Sequence, residues 1–349
     1  MNPAPVSTLA TTSQLAVGDI APNCVLPRTD GMQVNLLSDS IAGNPIVLAF
    51  CPRLPDYGKE LLDRFATWFD VLSTLGARVF AITSEAPDPP ITQEYKFPIL
   101  LDQQWITFNK FGAVQDRPTS IVIRRNYHVA GIFNAGCEVQ VEQTLALLKR
   151  LSWEHEPVSM NVHPPVLLIP EVFSRDECRT LIHIFETTGQ TYLQEKTAND
   201  YLKGTDYKMR IPEHMREDRI DHFFFDKGMV AFLVKRLTRV TPEIVRAFQY
   251  RITKYETLRI ACYKGQRGGH SHGHRDNIPP YTYRRFAMSI NLNTEEFEGG
   301  ELRFPEFGDQ RYRPESGTAI IFSSSLLHEA MHVTSGRRFV FLAFLFGET

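Results

Sequence analysis

Cysteine is scarce in this chain, and its pattern excludes a disulfide scaffold. The five cysteines, Cys24, Cys51, Cys137, Cys178 and Cys262, are odd in number and form no CxxC pair. That usage fits a reducing compartment, so a cytoplasmic location is expected. Long apolar runs are missing, so no membrane-spanning helix is expected. Residues 1–12 lack the basic-then-apolar order of a secretory signal. Charge of one sign is missing too: 38 basic against 40 acidic residues leave a formal net charge of -2. Nothing therefore points to a nucleic-acid or membrane partner. No repeat or low-complexity tract occurs, which excludes solenoids and arrays. What is present is an ordinary globular composition over 349 residues, a length that suggests two domains.

Residues 13–152 alternate between strand and helix patterns. Short apolar runs at 46–50 and 78–82 suit buried strands. Apolar residues at helical spacing (Leu61, Leu62, Phe65, Phe69, Leu72) predict one helix over 57–75. Residues 120–123 and 129–133 flank a turn-like Arg125-Asn126, and 139–151 predicts a closing amphipathic helix. Such alternation predicts an α/β layer structure. Prolines at 157, 164 and 165 break the pattern, making 153–165 a linker.

The second domain, 166–349, opens with helices. Ser174 and Glu177 have capping-box spacing ahead of a helix at 178–185, and Pro242 begins another at 243–248. Strand patterns follow at 258–263, 286–293, 301–304, 318–322 and 338–346, punctuated by glycine and proline. Short strands at this spacing predict a sandwich or jelly roll, an α+β domain overall.

The chemistry sits in Gly268-Gly269-His270-Ser271-His272-Gly273-His274-Arg275-Asp276-Asn277, with Leu327-His328 far downstream. Residues i and i+2 of an extended segment point the same way, so His274 and Asp276 can share one metal. A distant histidine, His328, completes a two-histidine, one-carboxylate set suited to non-haem Fe(II). A lone HxD is weak. The order strand, HxD, strand, GGEL, strand, His, Arg is what counts.

That order resembles the prolyl-4-hydroxylase-like branch of the 2-oxoglutarate and Fe(II) oxygenases. The matching residues are 258–263, His274 to Asn277, Asn291-Leu292-Asn293, Gly299 to Pro305, and Leu327 to Ala330 running into Val333 to Arg338. The resemblance implies a double-stranded β-helix with iron on His274, Asp276 and His328. It implies that Arg338 pairs with the distal carboxylate of 2-oxoglutarate, a task a guanidinium fork suits. Tyr263 would hydrogen-bond the same carboxylate. Arg337, one residue off, should face the other side of the strand. The implied reaction consumes dioxygen and hydroxylates a small-molecule or peptide substrate (peptidyl proline, an amino acid or another small molecule), releasing succinate and carbon dioxide. Ascorbate is a candidate reductant. Retention of Asp276 argues against halogenation. The family often has proline where this chain has His332, which leaves His332, His270 and His272 as surface, supporting or rival groups. Tyr281, Tyr283, Arg284 and Arg285 are either pocket residues or a solvated strand lead-in. Lys208 and Arg210 are candidates for a lid.

Residues 17–150 resemble the peroxiredoxin (AhpC/TSA) family of thioredoxin-fold proteins, through Val17 to Pro22, Asp30-Gly31, Val47 to Pro52 and Arg117 to Ile123. The family's threonine and reactive cysteine positions hold Asp56 and Lys59 here. Cys51 reads as a small buried hydrophobe. The expectation is a non-catalytic redoxin that binds a partner, forms a homodimer or shapes the substrate entrance. Alternatives to an oxygenase are a redoxin-type thiol peroxidase and a non-catalytic binding protein.

Overall fold

The central strand of the N-terminal sheet, Ile46–Cys51, is buried at all six positions. Alternate residues feed two cores. Val47, Ala49 and Cys51 pack with Leu61, Leu62 and Phe65 on one face. Ile46, Leu48 and Phe50 pack with Phe108 and Phe111 on the other. A strand covered on both faces reads as a continuous apolar run. Sheet order is Ile99–Leu101, Arg78–Thr83, Ile46–Cys51, Thr119–Ile123, Val129–Phe133. The first two pairings are parallel and the last two antiparallel. Helices Lys59–Thr67 and Cys137–Leu151 pack on the first of these cores.

The computed structural model describes residues 7–8, 15–38, 40–52, 58–85, 95–151, 162–187, 219–264 and 271–347. Most of the expected linker, Asp56, Lys208, Arg210 and His270 lie outside them. The chain divides into two compact units, Thr12–Pro157 and Met1–Thr11 joined with Val158–Thr349. Strand Ser7–Thr8 pairs with Lys254–Tyr255 and so belongs to the second unit, a role not expected of the first dozen residues. The helix predicted over 57–75 is two helices, Lys59–Thr67 and Phe69–Thr74, broken at Trp68 (φ -100°, ψ 7°). Thr67 Oγ1 donates to the Asp63 carbonyl at 2.9 Å, the kind of back-bonding that bends helices.

In the second unit the capping box forms as expected. Ser174 N donates to Glu177 Oε2 at 2.9 Å and Glu177 N donates to Ser174 Oγ at 3.2 Å. The long strand Val333–Phe346 organises a nine-stranded sheet, pairing with Arg259–Lys264 on one side and Phe286–Asn291 on the other. Arg219–Phe223 adds beyond Arg259–Lys264. Ile260, Cys262, Phe339 and Phe341 point from the sheet into a core with helices Arg175–Thr187, Lys227–Leu237 and Thr241–Phe248. Each such buried side chain contributes roughly 1.5–3 kcal/mol of hydrophobic stabilisation. The opposite sheet face carries Ala261, Tyr263 and Val340 in a separate cluster. A four-stranded sheet, Ser271–His274, His328–Ala330, Leu302–Arg303 and Arg311–Tyr312, supplies the second layer of the jelly roll. Among the described residues no helix is long and apolar enough to cross a membrane.

Candidate metal centre

His274 and His328 are register partners in the antiparallel pair Ser271–His274 and His328–Ala330. Direct partners share a sheet face and lie close. Their ring centroids are 4.4 Å apart. Asp276 lies two residues beyond His274, where its backbone N–H donates to the Ser324 carbonyl at 2.9 Å. Its carboxylate oxygens lie 3.4 Å from His274 Nε2 and 3.3 Å from His328 Nε2. Donor atoms of all three residues fall within 4.8 Å of one another.

The electrostatics favour ligand forms. His328 Nδ1 lies 3.0 Å from the Leu326 carbonyl; donation there leaves Nε2 with its lone pair toward Asp276. Burial lowers the His328 pKa, with the Asp276 charge opposing. Burial pushes Asp276 up, but the hydrogen bond from His274 and the charges of His328, His274 and Arg284 outweigh it and hold the carboxyl below its usual value. A neutral imidazole and an ionised carboxylate are the metal-binding states. His274 is the accessible member, its side chain 39% exposed.

Side chains outside the set tie its parts together. Arg275 Nη2 meets Glu306 Oε1 at 2.6 Å, and Glu306 Oε2 accepts from Leu327 N at 3.0 Å. This latch joins the loop between His274 and Asp276 to the residue before His328. Arg284 is held by Glu256 through contacts of 2.5 and 2.6 Å. Its plane lies between Tyr281 and Phe344, and Nη1 reaches the Asp276 carbonyl at 3.3 Å.

A pocket opens beside the triad, whose three side chains help to line it. Tyr263 and Arg338 are direct register partners on its wall, and Arg219 pairs with Tyr263 from the next strand. Both guanidiniums lie over the Tyr263 ring, at 5.5 and 5.4 Å. Arg338 is 4% exposed, and its Nε donates to Asn291 Oδ1 at 2.9 Å. Gly300 makes this possible. At φ +68° an added Cβ would stand 2.8 Å from Arg338 Cδ.

The other sequence candidates fall elsewhere. Arg337 faces away and pairs with Glu186 at 2.6 Å. His332 is exposed and outside the cluster; its carbonyl accepts from Gly300 N at 2.9 Å. His272 sits on the strand with His274. Tyr281, Tyr283, Arg284 and Arg285 do not line the pocket. Tyr283 instead packs its ring on Phe346 at 4.9 Å. Sequence reading missed Arg219, Asp221 and Arg259. The available signal was period two: Arg259, Ala261 and Tyr263 share one face of a strand whose Ile260 and Cys262 are buried on the other.

In the N-terminal unit, burial and then the neighbouring Cys137 push the Cys51 thiol far above its usual value. That is the opposite of what a reactive thiolate needs. Lys59, where the peroxiredoxin resemblance places the reactive cysteine, pairs with Asp63 at 2.9 Å.

Comparison with known proteins agrees with this division. Residues 258–346 match the family model of the 2OG-Fe(II) oxygenase superfamily, and residues 17–132 match that of the AhpC/TSA family. Procollagen-lysine,2-oxoglutarate 5-dioxygenase 1 of Mus musculus is 24% identical over 186 residues, 52% of this chain and 24% of that protein. A PKHD-type hydroxylase of Alteromonas mediterranea is 38% identical over 64 residues, 18% of this chain and 28% of that protein. The chain thus spans about a quarter of the length of these curated relatives. A viral collagen prolyl hydroxylase from Paramecium Bursaria Chlorella virus-1 matches at TM-score 0.37 and 18% identity, covering 53% of this chain and 96% of that one. Peroxidoxin BcpB from Mycobacterium tuberculosis matches at TM-score 0.35 and 19% identity, covering 40% and 99%. Residues 258–346 are thus similar to the 2OG-Fe(II) oxygenase superfamily, and residues 17–132 to the AhpC/TSA family.

Proposed function

We propose that this protein is a 2-oxoglutarate-dependent hydroxylase whose ferrous ion is held by His274, Asp276 and His328. The convergence of two imidazoles and one carboxylate within 4.8 Å carries the reading. The donor set, nitrogen and oxygen with no thiolate, suits Fe(II). Arg338 would hold the distal carboxylate of 2-oxoglutarate, with Tyr263 beside it and Asn291 fixing the guanidinium from behind. Bound there, iron and 2-oxoglutarate would supply the oxidising chemistry, coupling decarboxylation to insertion of one oxygen atom into a substrate C–H bond. The protein's part is orientation and exclusion of water. Leu302, Phe322 and Phe344 give the pocket apolar walls, which strengthen each electrostatic contact inside.

The five buried free thiols support action in a reducing compartment. Burial of Cys51 supports a redoxin unit that does not consume peroxide.

The test is direct. Chain loaded with Fe(II), with ascorbate as reductant, is given 2-oxoglutarate, and succinate is measured. Slow succinate formation without added substrate is expected, together with about one tightly held iron per chain. A chain that retains no iron after desalting and forms no succinate would overturn the assignment.

A further inference from the structure

Arg259 is a cation of the pocket wall whose ion-pair partner, Asp221, is already gripped by Arg219. Asp276 belongs to the metal set and Arg338 to the co-substrate. Arg284 is matched by Glu256, and Arg219 grips Asp221 with Nε–Oδ1 at 2.7 Å and Nη2–Oδ2 at 2.8 Å. Arg259 comes closest to the same Asp221 carboxylate, at 3.4 Å. Its Nε is buried and makes no hydrogen bond among the described residues. The guanidinium is held between aromatic rings, 5.6 Å from Phe223 and 5.3 Å from Phe344.

The balance of charge follows. Arg219 and Arg259 share one carboxylate, leaving an excess positive charge at a half-buried site. A bound ferrous ion and the dianionic co-substrate cancel each other, so they do not remove it. Burial and the charges of Arg219 and Arg284 act against the Arg259 cation, and those of Asp221 and Glu256 support it; arginine keeps its proton in proteins. An uncompensated buried charge is costly, so a site built this way awaits an anion. Arg259 pairs across the sheet with Leu342, whereas Tyr263 pairs with Arg338. Those rows are four residues apart, about 13 Å along a strand. The two arginines therefore reach the pocket from different rows of the sheet.

The geometry points to Arg259, braced by Asp221 and Arg219, as the residue that binds a carboxylate carried by the substrate itself. This rests on the oxygenase reading, since it takes Arg338 as already committed. The substrate class is then an acid whose carboxylate enters the same pocket as the oxidised carbon, not an uncharged residue inside a peptide. The carboxylate can belong to a free acid or to an acidic side chain.

The experiment uses the full chain with Fe(II) and 2-oxoglutarate. Probes are the free L-amino acids and short aliphatic monocarboxylates, each beside its uncharged carboxamide, plus the N-acetyl methylamides of aspartate and glutamate. Succinate and product mass are read. At least one acid should raise succinate and gain one oxygen, with its carboxamide tenfold or more poorer, as loss of one charged contact predicts. Stimulation by a free acid or by a blocked acidic residue distinguishes the two sources, and either supports the proposal. Arg259→Met should erase the preference for acid over amide, and Arg259→Lys should restore part of it. The KM for 2-oxoglutarate should move less than about threefold, which separates this role from that of Arg338. Amides as effective as acids, a preference that survives Arg259→Met, or no stimulation by any acid while basal succinate formation persists would each overturn the inference. No succinate under any condition would instead sink the oxygenase reading.

Discussion

His274 and His328 face each other as direct partners across two antiparallel strands, their ring centroids 4.4 Å apart. The convergence of these two imidazoles is thus written into strand register. A slip of one residue would turn His328 to the opposite face. Asp276 then needs only the turn after its strand, pinned by two backbone bonds to the Ser324 carbonyl at 2.9 and 3.2 Å.

The two histidines should differ when removed. His274→Ala and His328→Ala should each reduce bound iron and succinate formation to background. His274 is 39% exposed in its side chain and His328 only 7%. In metal-free protein His328→Ala should cost about 1–3 kcal/mol through the cavity and the orphaned Leu326 carbonyl, and His274→Ala well under 1 kcal/mol. Metal analysis after desalting and denaturant unfolding check both. Full iron retention by either variant would remove that residue from the ligand set.

Gly300→Ala should damage co-substrate binding without touching an iron ligand. The residue sits at φ +68°, and its new methyl would meet Arg338 Cδ at 2.8 Å. Backbone strain alone should cost roughly 1–2 kcal/mol. The clash adds a displaced guanidinium, so the KM for 2-oxoglutarate should rise about tenfold or more. Gly308→Ala is the control, because its positive φ meets only the flexible end of Gln310. An unchanged KM in the Gly300 variant would mean Arg338 does not set that affinity.

The Arg275, Glu306 and Leu327 latch should give a pH signature. The hydrogen bond from Arg275, then that from the Leu327 N–H, hold Glu306 below its usual value. A depressed acid contributes order that is complete above its unfolded pKa of about 4.3 and fades as pH falls through the lower folded value. Metal-free wild type should therefore be slightly more stable than Glu306→Gln at pH 7, and the gap should close in acid below about pH 4. Iron affinity of the variant should fall by up to about tenfold, the scale of outer-shell changes. A stability gap independent of pH would show that charge is not what the latch uses.

The thiols should be silent. All five are free and buried. Burial raises the Cys178 pKa to about 12 and that of Cys262 to about 11. Native protein at pH 8 should titrate with under one fast thiol per chain, and all five should react in denaturant. One rapid thiol in the native state would reopen the peroxidase alternative.

Much of this molecule was legible in its sequence, for local reasons. The apolar run at 46–50 suited a buried strand, and Ile46–Cys51 is one, buried at every position. Ser174 and Glu177 satisfy each other's backbone donors within one helical turn. The order of His274, Asp276 and His328 among strand and glycine motifs singled them out as candidate ligands, the family resemblance singled out Arg338, and strand alternation set Arg337 on the other face.

Other features were not readable, because nothing local produces them. Strand Ser271–His274 has no apolar alternation and exists only through pairing with His328–Ala330. Ser7–Thr8 finds its partner at Lys254–Tyr255, most of the chain away. By itself the sequence determined which residue types were available for metal and co-substrate, since side-chain chemistry and strand periodicity are properties of neighbours in the chain. Only the tertiary structure decided which charges cancel. It gave Arg284 to Glu256 and set Arg219 and Arg259 against the one carboxylate of Asp221, because ion pairing depends on distance in space and not on position along the backbone.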